Sequence, residues 1–261
     1  MSAQEHPVFS RPAQLDAPVW RYIDVAKYLS MLQSRALFFS RLDRLGDPFE
    51  GSLPRANIES DAAAMEEMFR SVPTLSDDEK RRRLVSIRES SGLLGRAMTR
   101  WCAVNCWHIN GHESAAMWET YARAGAGVAV RSTFDRLRRS FDQSPTTVYL
   151  GTVEYIDYAA DFIPPGNLFS RVLRKRKSFE HERELRAVVC QMGGSDQGLD
   201  FDYSPWEIGL NIEIDLQVLV ERVHVSPTAP AWFAAVIRDA TSRYGFDWDV
   251  TQSGLLEKPL F

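Results

Sequence analysis

The sequence predicts an α+β fold with a mixed or antiparallel sheet core and a helical insertion. Short aromatic and β-branched runs alternate with helical segments, but without the regular spacing that builds parallel strand–helix–strand units. Residues 55–98 then change character, becoming rich in Ala, Glu, Met, Arg and Leu, which suits a pair of inserted helices. The chain has 261 residues, 44% hydrophobic and 25% charged, which fits one α+β domain over residues 19–261 behind an arm of residues 1–18.

The arm carries prolines and no apolar run, so it reads as a loose segment draped over the domain. Val19–Ile23 is aromatic and β-branched, hence a strand. Asp24 then caps a helix over Val25–Ser34, whose Val25, Leu29 and Leu32 keep helical spacing. Ala36–Ser40 is a second strand, followed by a polar loop containing Gly46-Asp47-Pro48-Phe49-Glu50-Gly51. The insertion, about 55–98, is expected to hold helices near 58–71 and 76–98, the second opened by Ser76 with Glu79 three residues on. Thr99–His108 reads as a strand, Ser114–Arg123 as a helix, Gly127–Ser132 as a strand and Thr133–Phe141 as a helix. Val148–Tyr158 alternates like one long strand, and Leu168–Phe179 reads as a basic helix with five basic residues between Arg171 and Lys177. Strands over 185–191, 208–214 and 220–225, a helix over 229–244 and a closing strand over 247–251 complete the reading.

The formal charge of −4 excludes a uniformly basic nucleic-acid coat. Three cysteines are too few for a framework of bridges, so a reducing, cytoplasmic setting is expected; no window approaches 18 uninterrupted apolar residues, so no membrane partner is expected. Cys102, Cys106, His108 and His112 are zinc-type donors at a spacing that matches no usual zinc motif. Cys102, Val104 and Cys106 instead alternate like a buried strand face, so Cys102 and Cys106 are expected reduced and free of metal.

Three constellations can carry chemistry. In Glu182-Arg183-Glu184-Leu185-Arg186, strand alternation puts Glu182, Glu184 and Arg186 on one face. Two carboxylates about 7 Å apart repel unless a cation, a donor or a substrate separates them. Trp118 and Tyr121 are neighbours on one helical face, either as core packing or as a wall for a flat ring. Asp47 and Glu50 sit in a loop bounded by Gly and Pro, either as a site component or as turn-formers facing solvent.

These motifs occur in an order that is similar to a bacterial family known as domain of unknown function 2971. The residues carrying the likeness are Trp20-Arg21-Tyr22, Leu37-Phe38-Phe39-Ser40, Asp47-Pro48-Phe49-Glu50, Met117-Trp118, Tyr121-Ala122, Gly127-Val128-Ala129-Val130, and Phe179 with Glu182, Glu184 and Arg186. More distantly, the arrangement resembles the three-part signature of ADP-ribosyltransferases. That resemblance implies an ADP-ribosyltransferase-like sheet core, NAD as substrate, and cleavage of NAD or transfer of its ADP-ribose to a protein or nucleic-acid acceptor, as in a toxin or phage-defence effector. It implies Glu184 and Glu182 as catalytic carboxylates, and Arg21, Tyr22, Ser40, Trp118 and Tyr121 as NAD contacts. Asp47, Glu50 and Arg186 would support them. The usual Ser-Thr-Ser strand motif is absent. Two alternatives stay open: a metal-dependent nuclease or phosphoesterase using Asp47, Glu50, Glu182 and Glu184, and a non-catalytic recognition module. In the first reading the site holds no resident metal.

Overall fold

A computed structural model describes residues 3–70, 76–121, 126–196 and 198–260. In chain order the elements are β1 (Ala3–Gln4), β2 (Pro18–Asp24), α1 (Val25–Ser34), β3 (Ala36–Arg41), α2 (Arg55–Arg70), α3 (Asp77–Trp101), β4 (Cys102–Ile109) and α4 (Ala115–Tyr121). There follow β5 (Gly127–Thr133), α5 (Phe134–Ser140), β6 (Val148–Thr152), β7 (Glu154–Ile156), β8 (Arg174–Arg176), β9 (Glu184–Cys190), β10 (Gly194–Ser195) and β11 (Gly198–Leu199). The chain ends through β12 (Gly209–Glu213), α6 (Leu216–Leu219), β13 (Arg222–Val225), α7 (Ala231–Arg243) and β14 (Val250–Gln252).

The local signals act as side-chain chemistry dictates. Asp24 accepts the Lys27 amide at 2.8 Å and starts α1, which stops where Arg35 turns left-handed at φ 49°. Ser76 and Glu79 form a reciprocal capping box at the start of α3. Thr133 caps α5 by accepting the Arg136 amide.

The main sheet is mixed and runs β1-β6-β9-β4-β2-β5-β13-β14, with β3 pairing β4 and β12 pairing β3. Most pairs are antiparallel; β1–β6 and β13–β14 are parallel. The molecule is therefore α+β with a mixed sheet core. The sheet forks at β4. Val104 and Ala103 pair with Ser40 and Arg41 of β3, whereas Ile109 and His108 pair with Val19 and Trp20 of β2.

Alternation gives the sheet two different faces. One carries Val19, Ile23, Ala103, Trp107, Val130, Leu185 and Ala187 and packs under α1, α5, α6 and α7 as the main core. Fully burying such a side chain stabilises by about 1.5–3 kcal/mol. On the other face, Val104 and Val188 pack with Phe9, Met98, Trp101 and Leu173. Further along it, Trp20 and Tyr22 pack with Met117, Trp118 and Ala129. Polar residues lie between these two apolar clusters. The N-terminal arm is docked: Phe9 stacks on Tyr149 and closes over Gly151, where a Cβ would meet it at 2.9 Å.

Several expectations need correction. The expected long strand 148–158 breaks into β6 and β7, and β7 leaves the main sheet to pair with β8. The expected basic helix 168–179 is a 3-10 turn over Leu168–Arg171, then β8, then a second 3-10 turn over Lys177–Glu182. Extended backbone lets Lys175 point inward while Arg174 and Arg176 point outward, which a helix would not allow. Glu182 consequently belongs to a turn rather than to β9, and Arg183 links them in a left-handed conformation at φ 40°. Cys102 and Cys190 face each other across β4 and β9 with Cα atoms 4.2 Å apart and form a disulfide. Cys102 is therefore oxidised, contrary to expectation, and leaves the zinc-type donor set. Cys106 is a free thiol. Of the expected helix 114–123, residues 122 and 123 lie outside the described residues.

Candidate functional site

The polar stretch of the second face is a cluster of charge. On β9, Glu184 and Arg186 stand opposite His108 and Cys106 of β4. Arg186 Nε donates to Glu184 Oε1 at 2.8 Å, and Nη2 donates to Glu50 Oε1 at 2.9 Å. Its Nη1 donates to the Val172 carbonyl at 2.6 Å, so a fully buried guanidinium has partners on three segments. Lys175 Nζ reaches Glu184 Oε2 at 3.1 Å, Glu50 Oε1 at 3.7 Å and the Glu182 carboxylate. Asp47 is nearby on the same loop as Glu50 and takes both Nη2 and Nε of Arg176, at 2.8 and 3.1 Å.

Three carboxylates (Glu50, Glu182 and Glu184) thus surround two cations, leaving one net negative charge. Lys175 supplies the cation that separates the glutamates. Its ammonium contacts all three of them. Among the described residues no set of His, Cys, Asp and Glu forms a metal-holding group.

The environment sorts the protonation states. Burial pushes the Glu184 carboxyl up, but Arg186 and Lys175 outweigh it and bring its pKa down to about 2. For Glu50 burial wins, and its pKa is raised despite Arg186. Burial works against the charge of Lys175, yet Glu184 and Glu182 hold its pKa above the ordinary value. Cys106 is raised by burial and then by the Glu184 charge, so its thiol stays protonated. One carboxylate oxygen, Glu50 Oε2, is buried without a hydrogen-bond partner among the described residues.

The aromatic motif comes to this cluster. The Tyr121 hydroxyl, on a side chain 45% exposed, donates to Glu182 Oε1 at 3.1 Å. Trp118 is turned inward, 3% exposed, with its ring edge-on to Tyr22 at 5.0 Å and its Nε1 donating to Glu113 Oε2 at 3.0 Å. The Tyr22 hydroxyl accepts the Ser114 amide and so fixes the start of α4. Trp118 and Tyr22 are thus packed against each other and do not form an open wall.

Two expected contacts lie elsewhere. Arg21 alternates with Tyr22, shares the Val19 and Ile23 face, and donates to the Cys106 carbonyl at 3.1 Å where β2 and β3 diverge. It braces the fork. Ser40 bonds only weakly, to the neighbouring Arg41 carbonyl at 3.4 Å.

Other polar groups at the site escaped sequence reasoning. Lys175 was hidden inside the supposed basic helix. Tyr155 accepts the Glu184 amide at 2.8 Å, but its strand looked continuous with β6. His108, which the sequence offered only as a zinc-type donor, places Nδ1 2.6 Å from the Glu182 carbonyl and leaves Nε2 buried without a partner among the described residues. Glu113 lies 3.4 Å from His224, whose ring packs 5.1 Å from Trp20.

No helix among the described residues is long and apolar enough to cross a membrane. Compared with known protein families, curated proteins and solved structures, the chain matches none.

Proposed function

We propose that the protein is an ADP-ribosyltransferase-like enzyme that binds NAD beside Tyr121 and cleaves or transfers it through the Glu182–Glu184 carboxylates. The hydrogen bond from Tyr121 to Glu182 carries this reading, because it joins the middle aromatic motif to the late glutamate motif across 61 positions. In this reading the bond between ribose C1′ and the nicotinamide nitrogen breaks, and its electron pair leaves with nicotinamide. Water or an acceptor then supplies a lone pair to C1′ and loses a proton. A carboxylate beside the ribose stabilises the oxocarbenium charge that develops between these events.

Glu182 is the carboxylate that touches the partly exposed Tyr121, so it is assigned the ribose side. Glu184 is 3% exposed and bound by both cations; it is a positioning residue that keeps Lys175 and Arg186 in place. The test is incubation of the purified chain with NAD and measurement of free nicotinamide, with and without a chelator. Release that survives chelation and falls about 100-fold in Glu182→Gln supports the assignment. A wild-type chain that neither binds nor cleaves NAD overturns it, and chelator-sensitive phosphodiester cleavage would favour the metal-dependent alternative.

A further inference from the structure

A concavity whose lining does not include Tyr121 lies between the helical insertion and the loop carrying Asp47 and Glu50. It has a volume of about 500 Å³, within the range of small-molecule pockets. Its wall joins aliphatic side chains such as Leu42, Leu53 and Met65 to charged ones: Asp43, Asp47 and Glu50 are each paired with an arginine outside the cavity, which leaves Asp61 beside Arg88, Arg96 and Arg171.

Three features make it more than a packing gap. First, Gly92 and Gly95 lie in the middle of α3 and line the cavity. Glycine is a poor helix-interior residue, and at these two sites its missing side chain leaves the space open. Second, the Arg171 guanidinium lies against Gly95, 3.4 Å from where a Cβ would stand, and the Arg96 guanidinium lies similarly against Gly92 at 3.6 Å. The Arg171 guanidinium makes no hydrogen bond among the described residues; burial opposes its charge, and the charge of Asp61, on the same cavity wall, favours it. Third, Glu50, whose side chain is 3% exposed, forms part of the wall and joins it to the charge cluster through Arg186.

We propose that this cavity is a binding site for a small aliphatic anion. The anionic group pairs with Arg171 and Arg96, and the aliphatic body lies along Leu42, Leu53 and Met65. Glu50 is also the hydrogen-bond partner of Arg186 at 2.9 Å, so an occupant would touch the charge cluster through one residue. The site stands independently of NAD chemistry.

The probes are 8-anilinonaphthalene-1-sulfonate, which has an apolar body and a sulfonate, and two competitors: decanol and decanoate. The full chain should bind the dye at one site. Decanoate should displace it, and decanol should need at least tenfold more than decanoate. Arg171→Gln should weaken dye binding at least tenfold, and Gly95→Leu, which fills the cavity, should abolish it. The exposed Arg83→Gln on α3 should change nothing. Equal dye binding by Arg171→Gln, Gly95→Leu and wild type overturns the proposal, as does displacement by decanol as effective as by decanoate. If Gly95→Leu fails to fold, the Arg171 variant and the competitor series decide alone.

Discussion

Glu50 and Arg186, 136 positions apart, meet at 2.9 Å inside the protein, and the same guanidinium holds Glu184 at 2.8 Å. One loop and one strand are thereby clamped by a single fully buried cation. Removing one member of such a network leaves the others charged, buried and short of a partner. Glu184→Gln is accordingly expected to cost about 3–5 kcal/mol of stability, read as a lowered urea midpoint. A loss below about 1 kcal/mol would mean that Lys175 and Arg186 find other partners at no cost.

Acid should reveal the same network. The Glu184 pKa is about 2 in the fold against 4.5 ordinarily, a depressed carboxyl. Its contribution is therefore complete above pH 4.5 and is lost as pH falls through about 2. Glu50 acts in the opposite sense: its pKa is raised, so protonating it relieves a cost. Urea midpoints should accordingly hold or rise slightly on mild acidification and then drop below pH 4.5. In Glu184→Gln the drop should be shallower; a drop of the same depth would assign it to other carboxylates, such as Glu113, which is also depressed.

The Cys102–Cys190 bridge closes a loop of 88 positions. Constraining a loop of that length in the unfolded chain stabilises by about 2–4 kcal/mol. A reductant, or Cys102→Ala with Cys190→Ala, should lower the unfolding midpoint correspondingly. Three titratable thiols in the unfolded, unreduced protein would show that the bridge does not form.

The arm should behave as part of the core. Phe9 is 6% exposed and in ring contact with Tyr149 and Phe169. Phe9→Ala should cost about 3 kcal/mol in urea titrations, as for other buried aromatics. Near-neutral behaviour would place the arm outside the folding unit.

The parts of this fold that were legible in the sequence are those set by local signals. Asp24 and Ser76 mark helix starts by hydrogen bonds within three residues, and the alternation of Val188 and Val189 marks a strand between two apolar layers. Glu184 and Arg186 share a face because strand geometry requires it. Lys175 was not legible, because its inward turn depends on carboxylates from residues 50, 182 and 184 that no local pattern announces. The fork in β4 was hidden for the same reason: two strands from opposite sides of α1 compete for one partner. Trp118 and Tyr121 looked equivalent by spacing, yet one is 3% and the other 45% exposed, a difference made by Tyr22 and Glu113.

That difference makes Tyr121 the residue on which the proposed chemistry can be divided. Tyr121→Phe keeps the ring but removes the donor to Glu182 Oε1. A hydrogen bond to a charged group contributes about 1.5–3 kcal/mol, so losing it in the transition state corresponds to a rate about 10- to 100-fold lower. If the ring contacts NAD and the hydroxyl aligns Glu182, Tyr121→Phe should lower kcat with KM nearly unchanged. Tyr121→Ala, which removes the ring as well, should also raise KM by about tenfold, as expected for a lost stacking contact. The side chain is 45% exposed, so the Phe variant should unfold within about 1 kcal/mol of wild type. Folded Phe and Ala variants with wild-type kcat and KM for NAD would show that Tyr121 only braces Glu182, and the site would then have to be sought away from α4.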